Sequence, residues 1–168
     1  MTSPRLTFVL GGARSGKSRY AEALTTAHPA PWTYIATAQA FDAEMRERIA
    51  EHRLRRCGDW RTVEAPLDLP EAVAAARGPV LVDCLTLWLT NLMLGEHALK
   101  PALARLAEAL DGAVGPVVLV SNEVGLSIVP DNALARAFRD EQGRLNQQIA
   151  ALSDRVVFMV AGLPMVVK

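Results

Sequence analysis

Apolar, β-branched runs recur along the chain with amphipathic stretches between them. Leu6 to Leu10 (LTFVL), Trp32 to Thr37 (WTYIAT), Pro79 to Asp83 (PVLVD), Val117 to Asn122 (VVLVSN) and Arg155 to Ala161 (RVVFMVA) predict strands. These runs are largely apolar instead of alternating, the pattern of strands covered by helices on both faces. Lys17 to His28, Phe41 to Arg56, Leu69 to Arg77, Leu85 to Leu94, Pro101 to Leu110 and Ala133 to Leu152 predict helices. Strand and helix in alternation argue for an α/β fold, a mostly parallel sheet with right-handed crossovers and flanking helices. Gly78-Pro79 and Gly115-Pro116 mark abrupt turns into strands. Gly162-Leu163-Pro164 predicts a turn before one short C-terminal strand, Met165 to Lys168. No repeat and no linker divides the chain, so residues 1–168 are expected to form a single domain.

The junction of the first strand and first helix carries the most chemistry. Gly11-Gly12-Ala13-Arg14-Ser15-Gly16-Lys17-Ser18 satisfies G-x-x-x-x-G-K-[ST] in the strand–loop–helix context that motif requires. Glycines let successive N–H groups turn inward as an anion-binding nest, and the helix adds its positive end. Lys17 is expected to reach the β- and γ-phosphates of a bound nucleotide, and the Ser18 hydroxyl to ligate Mg²⁺. The expected fold is therefore a P-loop NTPase of the RecA-like kind. A second acidic group is needed on the metal, and Asp83, ending PVLVD, stands in the usual place. Asp83 has an alternative role as N-cap of the helix from Leu85, and Glu123, just past VVLVSN, is a rival metal partner.

Composition narrows the partners. Lys plus Arg and Asp plus Glu are 18 each, so formal net charge is zero, against the basic footprint of a nucleic-acid binder. Basic residues concentrate only in Arg46, Arg48, Arg53, Arg55 and Arg56, a cluster the size of a phosphate pocket. Prolines, charges and glycines interrupt every apolar run, which argues against a membrane span. The start runs straight into a strand with no signal-peptide pattern, and Cys57 and Cys84 have neither CxxC nor metal-ligand spacing. Both are expected to be buried, reduced thiols of a cytoplasmic protein. The guanine-specificity pattern N/T-K-x-D of a GTPase switch does not occur.

Phe41, Met45, Ile49 and His52 share one stripe of the helix predicted over 41–56. From spacing alone His52 is either an amphipathic-face histidine beside the core or a nucleophile facing the nucleotide, with Arg53, Arg55 and Arg56 beside it. Nearby cations would lower the imidazole pKa and keep it neutral enough to attack phosphorus. His28 and His97 have no such company and are expected to be solvated.

From end to end the chain resembles the bifunctional adenosylcobinamide kinase/adenosylcobinamide-phosphate guanylyltransferases of cobalamin biosynthesis. The resemblance rests on GGARSGKS, YIATAQ, the spaced set Asp42, Glu44-Met45, Arg48-Ile49, His52 and Trp60 to Glu64, then VDCLTLWLTN, SNEVGLSIVP, LARAFRDEQGRLNQQIA and the closing VAGLP…K. It implies that His52, in the RI-x-x-H element, becomes covalently linked to GMP. It places Gly11 to Ser18, Thr37, Ala38, Gln39, Arg53, Leu54, Arg55, Arg56, Glu64 and Asp83 on nucleotide-contacting positions. Family members vary between carboxylates at the position of Asp83, which leaves direct or water-mediated contact with Mg²⁺ open. Some relatives carry a second histidine where Glu51 stands. The implied co-substrates are GTP and ATP, the implied acceptors adenosylcobinamide and its phosphate, and the implied assembly a homo-oligomer, typically a trimer. Val124 to Pro130 and Trp88 to Leu94 are candidate corrinoid contacts, although packing accounts equally well for their apolar side chains. A small-molecule kinase without a covalent step and a GTP-binding regulatory module are the competing readings.

Overall fold

The computed structural model describes residues 4–39 and 58–168. The helix expected over Phe41 to Arg56, with His52, Arg53, Leu54, Arg55 and Arg56, lies outside the described residues, as does Cys57. The described strands are β1 (Leu6–Gly11), β2 (Trp32–Ala36), β3 (Trp60–Glu64), β4 (Val80–Asp83), β5 (Val117–Asn122), β6 (Arg155–Val160) and β7 (Leu163–Val166). The described helices are α1 (Lys17–Thr26), α2 (Leu69–Ala75), α3 (Leu85–Leu94), α4 (Leu99–Asp111) and α5 (Ala133–Leu152). One seven-stranded sheet holds all the strands in the order β3-β2-β4-β5-β1-β6-β7. Every pairing is parallel except β6 with β7, a terminal hairpin.

The near-continuous apolar strands divide by residue parity between the two sheet faces, because side chains alternate along a strand. Leu6, Phe8, Ile35, Val80, Val82, Val117, Leu119 and Val156 meet Leu69, Trp88, Leu89, Leu106, Leu145 and Ile149 of α2 to α5. Val9, Tyr34, Leu81, Val118, Val120, Val157 and Met159 meet Ala21 of α1, with Tyr20 and Leu24 packed alongside. Trp88 and Phe8 are among the largest side chains lost entirely from solvent, so they anchor the first of these cores. Two strand starts are pressed together at the opposite end from the strand termini. A Cβ on Gly115 would collide with the Gly78 carbonyl, so the two Gly-Pro turns into β4 and β5 cross backbone against backbone.

Strand β3 is an element that hydrophobic pattern did not predict. Among the described residues it pairs only with β2, and Arg61, Thr62 and Glu64 are exposed. An edge strand with one covered side needs no continuous apolar run, so WRTVE carried too weak a signal. The C-terminal strand begins two residues earlier than expected, at Leu163, and Pro164 fits because β7 is also an edge. Helix ends shift by a residue or two, with α1 stopping at Thr26 and α2 at Ala75. Within the Trp88 to Leu94 stretch, Trp88, Leu89 and Leu92 are buried in the core and the Trp88 indole N–H donates to the Leu67 carbonyl at 2.9 Å, whereas Leu94 is exposed.

Candidate functional site

Parallel strands align their carboxyl ends along one edge of the sheet, and the polar residues singled out by sequence gather there. Across the edge come Glu64 at the end of β3, Thr37 after β2, Asp83 at the end of β4, Glu123 after β5, the Gly11–Ser18 loop after β1, and Gly162 after β6. With strands about 4.8 Å apart, Asp83 stands roughly 10 Å and Glu64 roughly 19 Å to one side of the loop strand.

The loop leaves β1 at Gly11 and enters α1 at Lys17. Arg14 takes a left-handed backbone at φ 55 and Gly16 at φ 92, reversals that bring the intervening N–H groups round. Gly11 is required by close approach: a Cβ there would lie 2.7 Å from both the Met159 carbonyl and Ser15 Oγ. Gly16 packs beside Gly162, whose N–H donates to the Ser15 carbonyl at 3.1 Å, so the β6–β7 turn braces the loop. Gly12, Ala13 and Arg14 are exposed and Ser18 is half-buried. Lys17 is buried, and its ammonium donates back to the Gly12 carbonyl across the loop. Ser15 Oγ is a buried hydroxyl with no hydrogen-bond partner among the described residues.

Beside the loop, Asp83 Oδ2 accepts a hydrogen bond from the Tyr34 hydroxyl at 3.1 Å. Asp83 does not cap the following helix: the N-cap of α3 is Cys84. Thr37 is fully buried, and its hydroxyl both donates to the Cys84 carbonyl at 2.7 Å and accepts from the Cys84 N–H at 2.8 Å. Asn91 fixes the Thr37 carbonyl at 2.8 Å, while Ala38 and Gln39 are half-buried just beyond. Thr37 therefore locks the β2 end to the β4–α3 turn through its side chain. Tyr34, Asn91 and Gly162 were missed from the sequence because their roles rest on contacts between distant segments.

Burial pushes the Cys84 thiol up to about 12, the Asp83 carboxylate adds to the rise, and Lys17 partly opposes it. Charges of both signs, from the loop lysine and the β4 carboxylate, thus act on one buried thiol. A glycine-rich loop of this kind between a central parallel strand and a helix defines a P-loop nucleotide-binding protein.

The chain belongs to the cobinamide kinase/cobinamide phosphate guanyltransferase family, whose model matches residues 7–167. It is 52% identical over 165 residues to the bifunctional adenosylcobalamin biosynthesis protein CobP of Pseudomonas aeruginosa, covering 95% of each chain. It is 42% identical over 178 residues to the bifunctional adenosylcobalamin biosynthesis protein CobU of Escherichia coli, covering 95% of this chain and 98% of that one. A solved ATPase of a bacterial type III secretion system shares the fold, with a TM-score of 0.52 at 13% identity. That likeness covers 93% of this chain, which spans about half (51%) of the ATPase. Among the described residues no helix is long and apolar enough to cross a membrane.

Gly11→Ala is expected to weaken binding of a fluorescent GTP analogue by at least about tenfold, because Met159 and Ser15 have no room for the methyl group. Titration that finds the parent affinity would show that the cradle tolerates distortion. Cys84 is expected to resist alkylation near pH 8 in the folded protein and to react once urea is added. A thiol whose folded pKa is raised stabilises the fold fully below the unfolded value near 9, and that contribution is lost as pH rises toward about 12. Peptide mapping of Cys84 with and without urea checks this.

Proposed function

We propose that residues 1–168 act as one nucleotide-binding domain that carries out two transfers on a corrinoid. The observation that carries this reading is the set of polar residues along one sheet edge beside a glycine-rich loop, in a chain of the cobinamide kinase/guanyltransferase family. In the first transfer, the hydroxyl oxygen of the aminopropanol arm of adenosylcobinamide attacks the γ-phosphorus of ATP or GTP. The bond to the β–γ bridging oxygen breaks, the nucleoside diphosphate leaves and the hydroxyl proton is lost. Gly11 to Gly16 donate backbone N–H groups to the phosphates, and Lys17 moves from the Gly12 carbonyl onto the β- and γ-oxygens. Catalysis is then mostly positioning and charge neutralisation.

Mg²⁺ suits this edge, because Ser18 and Asp83 offer hard oxygen donors, hydroxyl and carboxylate. Bound there, directly or through water at Asp83, it would neutralise charge on the transferring phosphoryl group. Tyr34 holds the Asp83 carboxylate in place.

In the second transfer, a ring nitrogen of His52 attacks the α-phosphorus of GTP, a P–N bond forms, and pyrophosphate leaves. A phosphate oxygen of adenosylcobinamide phosphate then displaces the histidine, giving adenosylcobinamide-GDP. Arg53, Arg55 and Arg56 neutralise the departing pyrophosphate, with Leu54 among them. Thr37, Ala38, Gln39 and Glu64 lie on the nucleotide's path away from the loop. The support for His52 is its place in the RI-x-x-H element and the family's guanyl transfer. Leu126, Ile128 and Val129 are exposed aliphatic side chains in the segment that follows Glu123, available to a corrinoid or a neighbouring subunit. The working form in this reading is a cytoplasmic homo-oligomer, a trimer by the resemblance.

His52→Ala should abolish labelling by α-labelled GTP while leaving phosphorylation of cobinamide measurable. Labelling of the variant at the parent's level would remove His52 as nucleophile. Lys17→Ala should lower both transfers by about a hundredfold or more, since both need the bound triphosphate. Full kinase turnover in that variant would mean that the loop does not hold the phosphates.

A further inference from the structure

Strand β5 leaves its two neighbours at different points. Its ladder with β4 ends at Val120, opposite Asp83, whereas its ladder with β1 runs two residues further, to Asn122 opposite Gly11. The overhanging end of β5 therefore presents Asn122 to a side where, among the described residues, no strand is left to pair with it. Side chains from two helices take the place of that strand. The Asn122 N–H donates to Thr86 Oγ1 of α3 at 2.8 Å, and the Asn122 carbonyl accepts from Asn146 Nδ2 of α5 at 3.1 Å.

The space between those two bonds is filled by hydroxyls and amides. Ser121 Oγ donates to Asn146 Oδ1 at 2.9 Å. Its one proton is thereby used, so in the 3.3 Å contact of Thr86 Oγ1 with Ser121 Oγ the donor is Thr86. Gln142 Nε2 donates both to Ser121 Oγ at 3.0 Å and to Asn146 Oδ1 at 2.9 Å. The bonds thus run in one direction from the Asn122 N–H, through Thr86, Ser121 and Asn146, back to the Asn122 carbonyl. Thr86, Ser121, Gln142 and Asn146 are all buried, which makes each bond strong and each lost partner costly. One hydrogen bond later in the chain, the Glu123 N–H donates to the Gly11 carbonyl at 3.1 Å, on the first residue of the glycine-rich loop.

We propose that Thr86, Ser121, Gln142 and Asn146 are positioning residues for phosphoryl transfer, which hold the end of β5 and the Glu123 backbone against Gly11 and so fix the phosphate loop relative to the β4 end. The proposal rests on the reading that this loop holds the triphosphate. All four are buried and bonded to one another or to the Asn122 backbone, so the role assigned to them is indirect. They act by keeping two strand ends, carrying Asp83 and Glu123, at a set distance from the loop, and a misplacement of about 1 Å at such a site can cost a hundredfold in rate.

The test uses the full chain and three variants: Thr86→Val, isosteric without the hydroxyl; Gln142→Met, similar in shape without the amide; and Thr86→Ser, which restores the hydroxyl. MgGTP-binding sites are first titrated, and phosphorylation of cobinamide by MgATP is then expressed per titrated site. Thr86→Val and Gln142→Met are expected to lower kcat per site by about tenfold to a hundredfold, with KM for nucleotide within about threefold of the parent, while Thr86→Ser stays within about twofold of it in kcat. Parental kcat per site in both disruptive variants would overturn the proposal. So would a loss that appears wholly as fewer titratable sites, or as failure to fold, because the ring would then be structural only. A parent chain that binds no MgGTP would instead sink the reading of the loop, an outcome visible before any variant is made.

Discussion

A loop that grips a polyphosphate must aim several backbone N–H groups at one point, and those groups hold their aim only if the loop is anchored from both sides. Here the anchorage is backbone to backbone. On one side the Met159 carbonyl presses against Gly11 so closely that no Cβ fits, and the turn after β6 bonds the Ser15 carbonyl through Gly162. On the other, the Glu123 N–H reaches the Gly11 carbonyl from the end of β5. Both anchors come from strands hydrogen-bonded to β1, so the loop inherits the rigidity of the sheet.

The same constraint explains why the edge of the sheet is polar where its centre is not. Strands of unequal length leave backbone groups without ladder partners, and in a buried setting those groups must be satisfied by something other than water. Thr37 does this at the β2 end, bonding both the N–H and the carbonyl of Cys84, and Asn91 does it for the Thr37 carbonyl. At the β5 end Thr86 and Asn146 serve Asn122. Thr37, Thr86 and Asn91 are small and polar, sit in or next to an apolar run, and look out of place until the missing strand partner is noticed. Cys84 shares that setting but not that chemistry, since burial and Asp83 hold its thiol protonated.

Sequence pattern located what is periodic or contiguous. The five apolar strands, the helices packed on them and the glycine-rich loop were legible because burial on both faces gives continuous runs, and because Gly11 to Ser18 are neighbours in the chain. Strand β3 was not, since an edge strand with exposed Arg61, Thr62 and Glu64 carries only weak alternation. The Trp88 stretch was ambiguous for a similar reason: an apolar helix reads the same whether it packs on a sheet or waits for a ligand. Tyr34 on Asp83, Gly162 on Ser15 and the ring around Asn122 were illegible, because each joins residues far apart in sequence whose types alone are ordinary. Residues of one contiguous motif can be read along the chain; the residues that hold the motif still can be read only across the sheet.

This separation bears on how one edge can serve two transfers. In the proposed reading the loop at β1 binds the triphosphate in either case, and the distance from β1 to Asp83 and Glu64 sets where the rest of the nucleotide rests. That distance is fixed by strand spacing and by which strands intervene, and the order β3-β2-β4-β5-β1 puts β5 between the loop and the Asp83 strand. The end of β5 therefore touches the loop on one side and lies beside the β4 terminus on the other. Any shift of that end moves the loop and the carboxylate relative to each other. A protein that reused one phosphate grip for two reactions would need that separation to be held by bonds independent of either substrate, and hydrogen bonds closed among buried side chains meet that need.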